Sequence, residues 1–157
     1  MICFSFADKL FVQFCHPDAQ LPVYSTTTAA GLDIFSAEKV EIPPLETRSV
    51  STGIAIELPD SSFASVKSRS GLFLNHQIYA FPGIIDSDYR GIVQVLLTNL
   101  NKEKYFQVEK RDKIAQLVIQ QYQRLNIVST IFLGRTLRGN GGFGSTGLRD
   151  ISLPDHQ

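Results

Sequence analysis

An excess of charge of either sign is missing from this chain of 157 residues: fifteen basic residues offset fifteen acidic ones. No general field draws it to DNA, RNA or an anionic membrane, so any polyanion it takes must be held at a local site. Cysteine is scarce as well. Cys3 and Cys15 are the only two and no C-x-x-C pairs occur, which excludes a disulfide scaffold and a structural zinc site. The same scarcity points to a reducing compartment, cytoplasmic or nuclear, and away from secretion. No apolar run approaches the ~18 residues of a transmembrane helix. The start, 1–15, carries Asp8 and Lys9, lacks a cationic n-region and a small-residue cleavage site, and reads as mature sequence. Three signatures are absent: G-x-x-x-x-G-K-[ST], H-E-x-x-H and G-x-S-x-G. Their absence removes P-loop, zinc-protease and nucleophile-elbow chemistry. His16, His76 and His156 stand apart from one another, and isolated histidines are usually surface or packing residues.

What is present is alternation. The length suits one well-packed domain, and 43% of the residues are hydrophobic. A period of two predicts strands over 9–15, 40–42, 54–58, 63–67, 92–99, 105–108 and 113–121, rich in Val, Ile, Phe and Tyr. Between them lie turn signals: Pro43-Pro44, Pro59-Asp60-Ser61-Ser62, Pro82-Gly83, Asp88-Tyr89-Arg90-Gly91 and Asn99-Leu100-Asn101. Many short strands at near-regular spacing predict an all-β sandwich, jelly roll or barrel. One helical turn is predicted over 70–76, short and without an apolar stripe. The mixed-sign runs 102–104 and 109–113 read as solvated turns.

Glycine is concentrated at one end: six of the eleven lie from Gly134 to Gly147. Within this stretch Arg138-Gly139-Asn140-Gly141-Gly142-Phe143-Gly144-Ser145-Thr146-Gly147 sets bare amides beside a guanidinium, a ring and two hydroxyls. Such a run can wrap phosphate oxygens, neutralise them and stack on a base; by composition alone it is a flexible tail. Gly139, Gly141 and Gly144 match G-x-G-x-x-G. Yet only thirteen residues follow Gly144, Pro154 among them, so the helix and distal acid of a dinucleotide fold have no room.

Three other places carry possible chemistry. Asp86 follows Ile84 and Ile85 at the end of an apolar strand, where a carboxylate is either a general base made by burial or a turn cap. The following Asp88-Tyr89-Arg90-Gly91 is an ordinary turn, with Gly91 supplying positive φ. Lys67-Ser68-Arg69-Ser70-Gly71 opens the short helix, and reads equally as a phosphate cradle and as a polar turn. Ala30-Gly31-Leu32-Asp33 places one acid in an apolar strand start. Alone, Asp33 is simplest as a solvent-facing residue; beside substrate phosphates it could serve a hydrated Mg²⁺. Together these places describe a nucleoside triphosphate site built without a P-loop.

The same residues resemble the homotrimeric deoxyuridine triphosphate nucleotidohydrolases, the dUTPases, over roughly residues 9–147. Five motifs appear in order: Ala29 through Ala37; Arg69-Ser70-Gly71-Leu72; Gly83 through Gly91; Asp112-Lys113-Ile114-Ala115-Gln116-Leu117; and Arg138 through Gly147. The resemblance implies an all-β, jelly-roll-like barrel subunit over 1–133, with a flexible glycine-rich arm over 134–157 that closes over an active site. It implies a homotrimer with sites shared between subunits, no direct nucleic-acid partner and no membrane. It also implies Mg²⁺-assisted hydrolysis of dUTP to dUMP and diphosphate, keeping uracil out of DNA and supplying dUMP for thymidylate synthesis. By resemblance, Asp86 orients the attacking water and holds the 3′-OH, and Tyr89 leaves no room for a 2′-OH. Ala80, Gly83, Ile84, Ile85 and Gln94 belong to the uracil-reading stretch. Arg69, Ser70, Gly71 and Gln116 hold the α- and β-phosphates, and Asp33 reaches Mg²⁺ through water. Arg138, Gly144, Ser145 and Thr146 close on the γ-phosphate, with Phe143 stacked on uracil.

Five positions depart from the family pattern. Arg111 stands where glycine is usual, and Asn140 where serine or alanine is commoner. Phe81-Pro82 occupies a hairpin stretch that is smaller in many members, and Pro82 removes a backbone donor. Gln94 replaces a frequent glycine and leaves a backbone contact intact. Related dCTP deaminases share the fold but lack the arginine-glycine-phenylalanine arm. A dUTPase-fold interaction or signalling module would not need the intact Asp86, Tyr89, Arg138 and Phe143.

Overall fold

The structure, a computed structural model, describes residues 9–142, which fall into two compact units divided between Arg124 and Leu125. The boundary expected at 133/134 lies inside the second unit.

In the first unit the described chain forms twelve strands and one helix. They are β1 (Phe11–Phe14), β2 (Val23–Tyr24), β3 (Leu32–Phe35), β4 (Val40–Ile42), β5 (Thr47–Ser51), β6 (Ile54–Glu57), β7 (Ser62–Lys67), α1 (Ser70–His76), β8 (Ile78–Ala80), β9 (Gly83–Asp86), β10 (Gln94–Asn99), β11 (Phe106–Val108) and β12 (Lys113–Gln121). All pairings are antiparallel. They build four sheets in the orders β1-β6, β5-β10-β8, β11-β4 and β2-β3-β12-β7-β9. The fold is all-β and jelly-roll-like, as expected.

Strands β4 and β12 have the bounds that alternation predicts, and helix α1 has those expected of the single helical turn. Five short strands carry no such pattern. β5, Thr-Arg-Ser-Val-Ser, buries Val50 and is held as a strand by its pairing with β10, where Val50 faces Val95. This is tertiary pairing overriding weak local propensity.

The core is aliphatic. Ile34, Ile42, Ile54, Ile78, Val50, Val93, Val95, Leu97, Val108, Ile114 and Leu117 are fully buried, each stabilising the fold by about 1.5–3 kcal/mol. One polar residue joins them. Asn99 donates from Nδ2 to the carbonyls of Ile42 (3.0 Å) and Lys104 (2.8 Å) and accepts from the Asn101 N–H (3.0 Å), so its burial is compensated.

Strand β12 lies in the middle of the five-stranded sheet. It pairs with β3 and β7, and its register with β3 shifts between Lys113 and Ala115. In an unbroken strand, positions three apart face opposite sides of the sheet. The bulge adds one residue, buries Ile114 and Ala115 in succession, and turns Lys113 and Gln116 to the same side. Just before β12, Arg111 adopts φ 71°, the left-handed conformation for which glycine is the usual choice. Its N–H donates to the Ser36 carbonyl at 2.7 Å, and its guanidinium faces Asp18, which also pairs with Lys110 at 2.6 Å.

The second unit, described over 125–142, has neither strand nor helix among its described residues. Its apolar side chains are open to solvent, from Leu125 through Ile131 and Phe132 to Leu137, with Ile127 99% exposed. Arg138 sits in a turn: Gly141 N–H donates to its carbonyl (3.0 Å), and its Nε donates to the Gly141 carbonyl (2.9 Å). Gly139, at φ 52°, supplies a left-handed residue there. Among the described residues no helix is long and apolar enough to cross a membrane.

Candidate active site

The predicted residues of the first unit gather into two groups. The first centres on Asp33 of β3. A solvent-facing Asp33 is ruled out: the residue is 2% exposed. Two cations and two neutral donors converge on its carboxylate. Lys113 Nζ lies 2.8 Å and Ser25 Oγ 2.6 Å from Oδ2, while Gln116 Nε2 lies 3.2 Å and Arg69 Nε 3.3 Å from Oδ1. A carboxylate has about four acceptor positions, so this one is saturated. Burial works to raise its pKa. The hydrogen bonds from Lys113, Ser25 and Gln116 and the charge of Arg69 outweigh that burial and lower the pKa from 3.8 to about 2.

Each donor arrives for a local reason. Gln116 is the register partner of Asp33 across β12 and β3, and the bulge brings Lys113 to the same side. Arg69, in extended conformation as the N-cap of α1, is tied back by donation from its NH1 to the Lys113 carbonyl at 2.9 Å. Ser70 and Gly71 open the helix, exposed, with nothing within 4 Å of a Cβ placed on Gly71. Beside Arg69 and Lys113 is a cavity of about 300 Å³, also lined by Leu72, His76, Phe106 and Asp112. Lys113 and Ser25 were not among the predicted site residues. Lys113 lies inside the fourth motif but reads as a strand cation until the bulge is known; for Ser25 the sequence carries no signal.

The second group lies around the end of β9. Ile84, Ile85, Asp86, Tyr89, Val93 and Gln94 line a cavity of about 220 Å³. Ala80 and Gly83 do not line it: Ala80 is buried in β8 with its N–H on Ser68 Oγ, and Gly83 packs towards Val66. Two expectations need correction here. Asp86 is exposed, so burial does not make it a base; Ile85 beside it is the buried residue. Gly91 does not supply positive φ; among the described glycines Gly53 and Gly139 do. Gly91 makes room instead, because a Cβ there would lie 2.5 Å from Cζ of Tyr89 and closer still to its hydroxyl oxygen. The Tyr89 N–H donates to the Asp86 carbonyl at 3.1 Å, and its O–H to the Ile92 carbonyl at 3.3 Å.

Strand register measures the gap between the groups. Gln116 is level with Lys67 on β7, whereas Asp86 is level with Phe63, four residues along and one strand further out. At about 3.3 Å per residue and about 4.8 Å per strand spacing, the Cα atoms of Gln116 and Asp86 are roughly 16 Å apart. Arg138 belongs to the second unit. Phe143, Gly144, Ser145 and Thr146 lie outside the described residues.

Comparison with known proteins bears on this arrangement. The dUTPase family model matches residues 17–147. The deoxyuridine 5′-triphosphate nucleotidohydrolase of Hydrogenobaculum sp. is 45% identical over 144 residues, covering 90% of this chain and 99% of the relative. That of Gloeothece citriformis is 46% identical over 142 residues, covering 89% and 97%. Among solved structures, the dUTPase of Staphylococcus bacteriophage 80alpha with dUpNHpp superposes with a TM-score of 0.86 at 27% identity, covering 90% of this chain and 99% of that one. A mutant dUTPase from the S. aureus phage phi11, whose structure shows the coordination of a structural Mg(II) ion, superposes at 0.76 with 25% identity, covering 79% and 97%.

Proposed function

This chain belongs to the dUTPase family and hydrolyses dUTP, and from that premise we propose how its residues divide the work. Asp86 orients and deprotonates the water that attacks the α-phosphorus and accepts from the 3′-OH. An exposed carboxylate at a cavity mouth suits this role, since it is free to reach substrate. Tyr89 lies against the deoxyribose. Ala80, Gly83, Ile84, Ile85 and Gln94 form the uracil-reading stretch, through backbone groups that match uracil and mismatch cytosine. Arg69, Ser70, Gly71 and Gln116 hold the α- and β-phosphates. Arg138, Gly144, Ser145 and Thr146 of the arm, 134–157, close on the γ-phosphate with Phe143 stacked on the base, excluding water as they close. The products are dUMP and diphosphate; in the cell this keeps uracil out of DNA and supplies dUMP for thymidylate synthesis.

The distance between the two groups carries the further proposal that the enzyme is a homotrimer with shared sites. A water on Asp86 must reach the same phosphorus that Arg69 and Gln116 hold, and roughly 16 Å of sheet is too far for one subunit to serve both ends. The exposed apolar run from Leu125 to Leu137 supports the same reading, because such a stretch needs cover that a second copy can supply.

Mg²⁺ is the cofactor we propose. Among the described residues no cluster of three or more His, Cys, Asp or Glu could hold a metal directly. Asp33, saturated by four donors yet ionised down to about pH 2, fits an ion held through water and mainly by substrate phosphates. When bound there, Mg²⁺ would offset charge developing on the leaving diphosphate. Of the two cations on Asp33, Lys113 is the more exposed and the better able to yield its place to such a water. We assign the enzyme to a reducing compartment, cytoplasmic or nuclear, consistent with the free, exposed Cys15.

A diphosphate-release assay across dUTP, dTTP, dCTP, dATP, dGTP and UTP tests the reading. Turnover of dUTP should exceed the others by a wide margin, because a mismatched buried hydrogen bond discriminates far better than a missing methylene. Comparable turnover of dCTP or dTTP would overturn the uracil assignment.

A further inference from the structure

Between the catalytic carboxylate and β10 the chain makes a turn whose construction the proposed reaction leaves unexplained. Arg90 donates from NH1 to two carbonyls of that turn, Ser87 at 2.6 Å and Tyr89 at 3.1 Å. Its NH2 is paired with Glu57 of β6 at 3.4 Å. Immediately after it stands Gly91, with the phenol of Tyr89 folded back over the position a side chain would fill. The backbone beyond is fixed: Val93 is buried, and its N–H donates to the Ile54 carbonyl at 2.8 Å.

We propose that Arg90 and Gly91 are specificity-determining residues that preset the Tyr89 ring, and with it the discrimination between deoxyribose and ribose. The inference rests on the reading that Tyr89 lies against the sugar. The ring is held by three contacts at once: its own O–H on the Ile92 carbonyl, the bare Cα of Gly91 beneath it, and the Ser87 and Tyr89 carbonyls of its own turn clamped by one planar guanidinium. With NH2 on Glu57 the plane of the guanidinium is fixed while NH1 serves both carbonyls, an orientation that a freely rotating ammonium does not hold. Exclusion of a 2′-OH is a steric matter of about one oxygen atom, so it requires a ring that does not swing. An unbranched glycine alone leaves the ring that position.

The geometry also supplies a selective perturbation. Gly91 is outside the left-handed region, so alanine there adds no backbone strain. The three atoms nearest the added methyl all belong to the Tyr89 phenol, the movable partner. Gly91→Ala should therefore fold and displace the ring alone.

The experiment compares kcat/KM for dUTP and UTP in the wild type, Gly91→Ala, Tyr89→Ala, the double variant and Arg90→Lys, with thermal unfolding as a control. Gly91→Ala should lower the dUTP:UTP ratio by about tenfold or more, the scale of a lost steric contact. In the Tyr89→Ala background the same substitution should change nothing further, because the collision is gone. Arg90→Lys should move the ratio the same way by a smaller factor, and it carries the test alone if Gly91→Ala does not fold. An unchanged ratio in Gly91→Ala and Arg90→Lys, or an equal effect of Gly91→Ala in both backgrounds, overturns the proposal. A Tyr89→Ala variant that keeps the wild-type ratio instead overturns the sugar role of Tyr89, and this proposal falls with it.

Discussion

Replacing Asp33 by Asn should expose how much of the fold's pH dependence resides in one carboxylate. Its pKa falls from 3.8 to about 2 because Lys113, Ser25, Gln116 and Arg69 outweigh the effect of burial. At about 1.4 kcal/mol per pKa unit, that difference is worth about 2 kcal/mol of folding stability. The sign follows from which state binds the proton more tightly. The unfolded chain takes it up near pH 4 and the folded chain near pH 2, so the contribution is complete above pH 4 and vanishes as pH falls towards 2. Removing one partner of a fully buried ion pair would cost about 3–5 kcal/mol. Here Lys113 and Arg69 keep 39% and 30% of their side-chain surface exposed and can return to water, which holds the cost to the smaller figure. Urea unfolding of wild type and Asp33→Asn, at one protein concentration across pH 7 to 2, measures the difference directly. The gap should be widest at neutral pH and narrow by about 2 kcal/mol below pH 4. A gap that stays constant down to pH 2, or none at pH 7, would refute the account of Asp33 as the ionised hub of this cluster.

Asp86→Asn should lower kcat for dUTP by about 10²–10⁴-fold while a nonhydrolysable analogue still binds, since the amide accepts a hydrogen bond but takes no proton; steady-state kinetics with calorimetric binding checks both halves. Gly53→Ala should destabilise the fold by about 1–3 kcal/mol in thermal or urea unfolding, because Gly53 sits at φ 67° and a Cβ would lie 2.7 Å from that of His16 and 2.8 Å from that of Ala37. Coexpressing Asp86→Asn with a chain truncated after Thr136 should restore part of the dUTPase activity that each lacks alone. In a mixed trimer a sound Asp86 and a sound arm then meet in one site; inactive trimers shown to be mixed would refute the shared architecture.

Much of this protein is a matter of local pattern. The period-two alternation of 113–121 and 40–42 specifies β12 and β4, because burying one face of a strand demands that repeat. The helix Ser70–His76 follows its polar opening, and the order of the five motifs was enough to identify the family and its chemistry. What tertiary structure alone decided concerns spacing across strands. No local feature of Lys113 tells that a bulge will turn it to the side of Gln116, nor of Ser25 that β2 will bring it to Asp33, so the saturation of that carboxylate is invisible in one dimension. The burial of Asp33 and the exposure of Asp86 reverse what their neighbours in sequence suggest, since burial is set by the sheets packed above a residue and not by the residues beside it. Gly91 looks like a turn glycine and proves to be a space for a ring, a distinction that depends on where the Tyr89 side chain lies after the turn has closed.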